Sequence, residues 1–177
     1  MSVFAKAVAV VSLTFVSLVA SNATASADDD FPRKPFVMQA TEIKQCAAIG
    51  PWSSVVKKYQ IVGVACDSNQ MNQRWTYDSD LRHIVSWDPH HFGMCVTADG
   101  GQLMLEKCDT SLLFGKELQQ WTVAVLTGGD GDFRCVVTTG KRFISPNRDN
   151  FWNVELNEGP IVFPHSKDVI SFIPLWT

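Results

Sequence analysis

The stretch CDSNQMNQRW, Cys66 to Trp75, sets a glutamine two residues before a tryptophan, shortly after a cysteine. The arrangement returns as CDTSLLFGKELQQW, Cys108 to Trp121. Each copy has a further cysteine upstream, Cys46 before Cys66 and Cys95 before Cys108. This recurrence constrains the fold more than any bulk property, because self-similarity within a chain marks a repeated supersecondary unit. In extended chain, residues i and i+2 project to one face, so Gln73 and Trp75 point together, as do Gln119 and Trp121. A buried tryptophan supplies a large apolar area, and a neighbouring glutamine can satisfy backbone groups at the adjoining turn.

A third unit is read from Cys135 through NVELNEG to Trp176, with Gly159 near the place of its second cysteine and Pro174 at that of its glutamine. Repeats of about 40–50 residues also build propeller blades, but a propeller needs at least about four, and the chain holds three. Short apolar stretches such as YQIVGVAC, HIVSW, QLMLEKC and RCVVTT have strand length and composition. Clusters such as TADGG, TGGDGD and SPNRDN supply turns, and no long stretch keeps a helical period. The expectation is an all-β domain whose three units share one core.

Met1 to Ala27 reads as a secretory signal: Lys6, an apolar run from Ala7 to Ala20, then the small residues SNATASA. The run is short for a membrane span, which needs about 20 residues. A soluble, secreted protein without a transmembrane segment is therefore expected, with a flexible leader over residues 28–35 and one domain over 36–177. The net charge of −3 lacks the clustered Lys and Arg of a nucleic-acid binder, and Lys57-Lys58 reads as a solvated pair. Export makes disulfides plausible, but five cysteines leave one over, and counting leaves fifteen two-bridge patterns open.

Cysteine, strand, second cysteine and Gln-x-Trp, in MNQRWTYDSDLRHI, GMCVTADGGQLMLEKC and LQQWTV, resemble the ricin B-type lectin family. The resemblance implies a β-trefoil with pseudo-threefold symmetry, bridges Cys46–Cys66 and Cys95–Cys108, and an unpaired Cys135. It also implies where sugar pockets would lie. The family's aspartate, two residues after the first cysteine, is replaced here by Ala48, Thr97 and Val137. Its aromatic platform is replaced by Val64 and Glu106, and only Asn72-Gln73 keeps the polar corner. The chain is similar, more loosely, to the binding subunits of cytolethal distending toxins, which are small secreted lectin-type trefoils accompanying a catalytic subunit.

These readings imply a non-enzymatic binding module for a cell-surface glycan, glycoprotein or lipid, with a catalytic toxin subunit as a further partner. Asn72, Gln73, Thr97 and Asp99 are the polar ligand candidates, and Trp52, Trp87, Phe92 and Trp152 the aromatic ones. An alternative is a trefoil protease inhibitor presenting Arg148 in the loop Ser145 to Phe151. No cofactor and no catalytic residue is expected, and Asp78 and Asp80 suit a turn better than a carboxylate pair. His83, His90, His91 and Cys95 lie close in sequence, but their spacing fits no standard zinc site, so no metal is expected.

Overall fold

The computed structural model describes residues 34–111, 117–127, 133–140, 142–146, 152–156 and 169–175. Within them lie twelve strands: β1 (Phe36–Ala40), β2 (Gln45–Ser53), β3 (Lys58–Ala65), β4 (Trp75–Asp78), β5 (His83–Ser86) and β6 (Met94–Asp99). The series continues with β7 (Gln102–Lys107), β8 (Thr122–Thr127), β9 (Phe133–Thr139), β10 (Arg142–Pro146), β11 (Trp152–Leu156) and β12 (Ile170–Pro174). Among the described residues no helix is long and apolar enough to cross a membrane.

The strands fall into three sets of four, all paired antiparallel. The second and third strands of each set make a hairpin: β2–β3, β6–β7 and β10–β11. The fourth pairs with the first of the next set, as β4–β5, β8–β9 and, closing the ring, β12–β1. The hairpins touch through β3–β7 and β7–β11. This is a β-trefoil.

Local chemistry sets the turns. Between β6 and β7 only Gly100 and Gly101 intervene, at φ 55° and 91°, as a two-residue hairpin of twist-matching hand requires. After β4, Asp78 Oδ1 accepts the N–H groups of Asp80 and Leu81, both at 3.0 Å, so this aspartate builds the turn.

Trp75 and Trp121 are fully buried in the shared core. Their indole N–H groups donate to Ala47 O at 3.1 Å and Val96 O at 2.8 Å. Each acceptor follows the first cysteine of its unit, so the indole pins the last strand to the second. Truncating such a residue costs about 3–5 kcal/mol. Cys46 is bridged to Cys66 and Cys95 to Cys108, while Cys135 is buried and belongs to neither bridge.

The register of the third unit differs from the sequence expectation. Gln39 faces Cys46 and Val85 faces Cys95 between the first and second strands of their units. The matching pair in unit three is Thr138 with Phe143, so Phe143, not Cys135, stands where a first cysteine would. Cys135 lies one strand earlier, on β9, opposite Val125 and Ile170. The tryptophan position follows the same logic. Trp75 faces Ser86 at the end of β5, and Ile170 faces Ala40 at the end of β1. Ile170 therefore replaces the tryptophan, and Trp176 lies outside the described residues.

A third indole still reaches the core, from a different strand. Trp152 faces Pro146 as Ile61 faces Ile49 and Leu103 faces Ala98. It is only 1% exposed, so it fills the core instead of joining an aromatic surface. Relative to its sister units, unit three has exchanged a tryptophan and an aliphatic residue between two core positions. Total side-chain volume is nearly conserved by such an exchange, which is the kind of change cores tolerate best.

Candidate ligand-binding surface

Strand register shows what became of the pocket positions implied by the sequence. Ala48 and Thr97 are buried, and the third equivalent, two residues after Phe143, is the buried Ser145 rather than Val137. Gln73 is also buried. Its Oε1 accepts Asp67 N–H at 3.0 Å and its Nε2 donates to Ala65 O at 3.1 Å. Asn72, half-buried, donates to Ile49 O at 3.2 Å. Thr97 Oγ1 accepts from Gln119 Nε2 at 3.0 Å and donates to Cys95 O at 3.2 Å. Gln73 and Thr97 thus bond the scaffold rather than a ligand: Gln73 ends a 3-10 turn, Met71–Gln73, with its side chain buried, and Thr97 is buried on β6.

Unit two holds a charged cluster at the same corner. Lys58, from the hairpin of unit one, reaches Asp99 Oδ2 at 2.6 Å and also bonds Glu106, the residue at the platform position. Burial pulls the lysine pKa down, yet the bonds to Asp99 and Glu106 outweigh it and hold the pKa above the ordinary value. Lys58 is therefore paired, not a solvated charge as its sequence context suggested. Asp99 keeps over a third of its side chain exposed.

The aromatic candidates behave differently. Trp52 on β2 faces Tyr59 on β3, edge to face, with ring centroids 5.0 Å apart. Tyr59 in turn meets the His91 ring at 4.6 Å, nearly perpendicular. His91 closes a 3-10 turn, Pro89–His91, and its Nδ1 lies 3.0 Å from Asp88 Oδ2. Asp88 Oδ1 caps the turn by accepting His90 N–H at 3.0 Å. Burial raises the Asp88 pKa, but these bonds to His90 and His91 outweigh it and hold the carboxyl below its ordinary range. The result is a ladder of rings with a fixed inner end and Trp52 at the outer end, 52% exposed.

Five of the eight large apolar side chains exposed among the described residues lie on the two segments that this ladder joins. They are Trp52, Val55 and Val56 on the β2–β3 tip, and Trp87 and Phe92 on the loop before β6. Exposed apolar side chains gathered in this way mark an interaction site. Sequence reasoning does not single out Tyr59, weighs His91 only as a metal ligand and reads Lys58 as solvated. The detectable signal was Trp52 and Tyr59 flanking a hairpin turn.

No protein-family model and no curated protein sequence matches the chain. Solved structures do. The earthworm R-type lectin C-half in complex with GalNAc is 10% identical, with TM-score 0.55 over 80% of this chain and 99% of that one. The β-trefoil lectin of the Vibrio vulnificus hemolysin/cytolysin, with N-acetyl-D-lactosamine bound, is 15% identical, with TM-score 0.52 over 81% and 97%. The designed threefold-symmetric protein ThreeFoil is 15% identical, with TM-score 0.55 over 80% and 99%. What they share with this chain is the β-trefoil fold. Identities this low leave the ligand to be argued from the chain's own surface.

Proposed function

We propose that the chain is a secreted, non-enzymatic binding module that takes a saccharide of a cell-surface glycan or glycoprotein on the Trp52 shelf. The observation that carries the reading is the Trp52–Tyr59–His91 ladder. A ring face clamped edge-on loses little conformational freedom on binding, and it offers the flat apolar platform that a sugar's C–H face stacks on. The earthworm and Vibrio trefoils are sugar complexes, which supports the ligand class. The buried thiol of Cys135, donating to Phe133 O at 3.4 Å, offers no accessible nucleophile.

A glycan array probed with the wild-type protein, followed by titration of the best hit, tests the reading. Trp52→Ala should weaken binding about tenfold, equivalent to 1.4 kcal/mol, a typical value for a stacked ring. Undiminished binding by that variant would overturn the assignment of the shelf.

A second reading assigns the same face to protein contact, with the module delivering a separate catalytic toxin subunit. The exposure of Val55 and Phe92, each 89%, supports it, because a sugar alone would leave both uncovered. Co-elution with a catalytic subunit encoded beside this chain, lost in Phe92→Asp, would favour it. The inhibitor alternative rests on Arg148, which lies outside the described residues. Amino-terminal sequencing of exported material tests cleavage near Ala27.

A further inference from the structure

Sequence spacing argues against a metal site at His83, His90, His91 and Cys95, but the fold regroups these residues. His90 and His91 belong to the aromatic loop, whereas His83 comes together with Cys95 and Cys108. The candidate ligand atoms of these three residues all lie within 4.8 Å of one another. We propose that reduction of the Cys95–Cys108 bridge turns this cluster into a binding site for a thiophilic divalent cation such as Zn²⁺, so that the bridge is a redox-gated metal site.

Three observations support it. First, the backbone presents the ligands without help from the sulfur–sulfur bond. Val85 faces Cys95, and Cys95 faces Glu106, so alternation places His83, Cys95 and Cys108 on one face of β5, β6 and the end of β7. The β6–β7 ladder runs unbroken from Met94–Lys107 to Asp99–Gln102, and Cys108 N–H donates to Gly93 O at 2.9 Å. Both sulfurs would stay in place once separated, and the 4.9 Å between their Cα atoms lets two thiolates converge on one ion at ordinary Zn–S distances of about 2.3 Å.

Second, the cluster is enclosed: His83 is 2% exposed, Cys95 is fully buried and Cys108 is partly buried, so few solvent ligands could compete for a cation held between them.

Third, among the described residues the sister bridge has no such cluster. At Cys46–Cys66 an amide, Gln39 Nε2, donates to Cys66 Sγ at 3.2 Å. Val37, two residues before Gln39 as His83 is before Val85, stands at the position equivalent to the histidine. The chain therefore contains its own control.

The chemistry balances. A dithiol reductant supplies two electrons and two protons to the bridge and is itself oxidised to a disulfide. The cation then displaces both thiol protons and takes the His83 nitrogen as third ligand, leaving one tetrahedral position to water. In oxidising surroundings the bridge would persist without metal, and in a reducing compartment the cation would replace it as the staple.

The test reduces the full chain with a phosphine, removes the reductant anaerobically, and titrates Zn²⁺ against a chromogenic chelator, with Co²⁺ absorption reporting thiolate ligation. We expect one equivalent bound by reduced wild type and none by the oxidised protein. A Cys46→Ser, Cys66→Ser, Cys135→Ser variant should retain the full equivalent. Cys95→Ser with Cys108→Ser should abolish it. His83→Gln should weaken it at least tenfold, since even outer-shell partners are worth 10–100-fold in affinity. Three results would overturn the proposal: equal uptake by the Cys95/Cys108 variant, unchanged affinity in His83→Gln, or loss of the β-sheet signal on reduction.

Discussion

Replacing Gln119 with leucine tests whether the glutamine of Gln-x-Trp is a structural residue. Gln119 is fully buried and spends its amide on three groups: Oε1 accepts Asp109 N–H at 2.8 Å, and Nε2 donates to Lys107 O at 3.1 Å and Thr97 Oγ1 at 3.0 Å. Leucine leaves the Asp109 N–H and the Lys107 carbonyl without this partner, at about 1–3 kcal/mol each. Thr97 keeps its own bond to Cys95 O and adds little. Apolar burial of leucine offsets part of the loss, so the net cost should be about 2–4 kcal/mol, or roughly 10 °C in Tm for a domain of this size. In Gln73→Leu the equivalent partners are Asp67 N–H and Ala65 O, both on exposed residues, whereas Asp109 is half-buried and Gln119 also bonds the buried Thr97, so the cost should be smaller than for Gln119→Leu. Urea unfolding with bridges intact measures both, alongside ligand binding. A Gln119→Leu cost below about 0.5 kcal/mol would refute the structural reading. So would a binding defect at unchanged stability, which would turn the glutamine towards the ligand.

The remaining predictions concern the core and its titrating groups. Because burial lowers the His83 pKa, the unfolded chain takes up that proton first. The contribution of His83 is whole above about pH 6.5 and is lost as pH falls through the folded value, and His83→Gln should flatten Tm against pH over that range. Cys135 should resist alkylation in the native, unreduced protein and react in urea as the only thiol, with peptide mapping showing Cys46–Cys66 and Cys95–Cys108. Ile170→Trp should cost about 1–3 kcal/mol by overpacking, and Trp152→Leu a comparable amount by leaving a cavity. If the two positions share one core volume, the double variant should recover at least about 1 kcal/mol of the summed loss, and strict additivity would exclude the exchange.

That exchange explains which part of the fold could be read from the sequence. Units one and two were legible because cysteine and tryptophan are rare, and because each indole must reach a particular carbonyl, Ala47 O or Val96 O. Such a bond fixes residue type as well as position. Unit three keeps only the volume, and volume can be supplied from either of two strands. Ile170 and Trp152 therefore carry no recurring spacing from a cysteine, and Cys135 and Trp176 offered a false register. The binding face was legible to a similar degree. Trp52, Trp87 and Phe92 stand out as large apolar residues in loop context, whereas Tyr59, His91 and Lys58 gain their roles from partners in another unit, which local pattern does not encode. Gln73 and Thr97 are ambiguous for the opposite reason: a polar side chain beside a motif can serve scaffold or ligand, and the folded backbone, a 3-10 turn at Gln73 and strand β6 at Thr97, decides between them. The ring tolerates a degenerate third unit because its closure does not depend on that unit's motif. It is closed by the β12–β1 ladder and by Phe36 stacked on Phe172 at 4.6 Å, contacts made between the two ends of the domain.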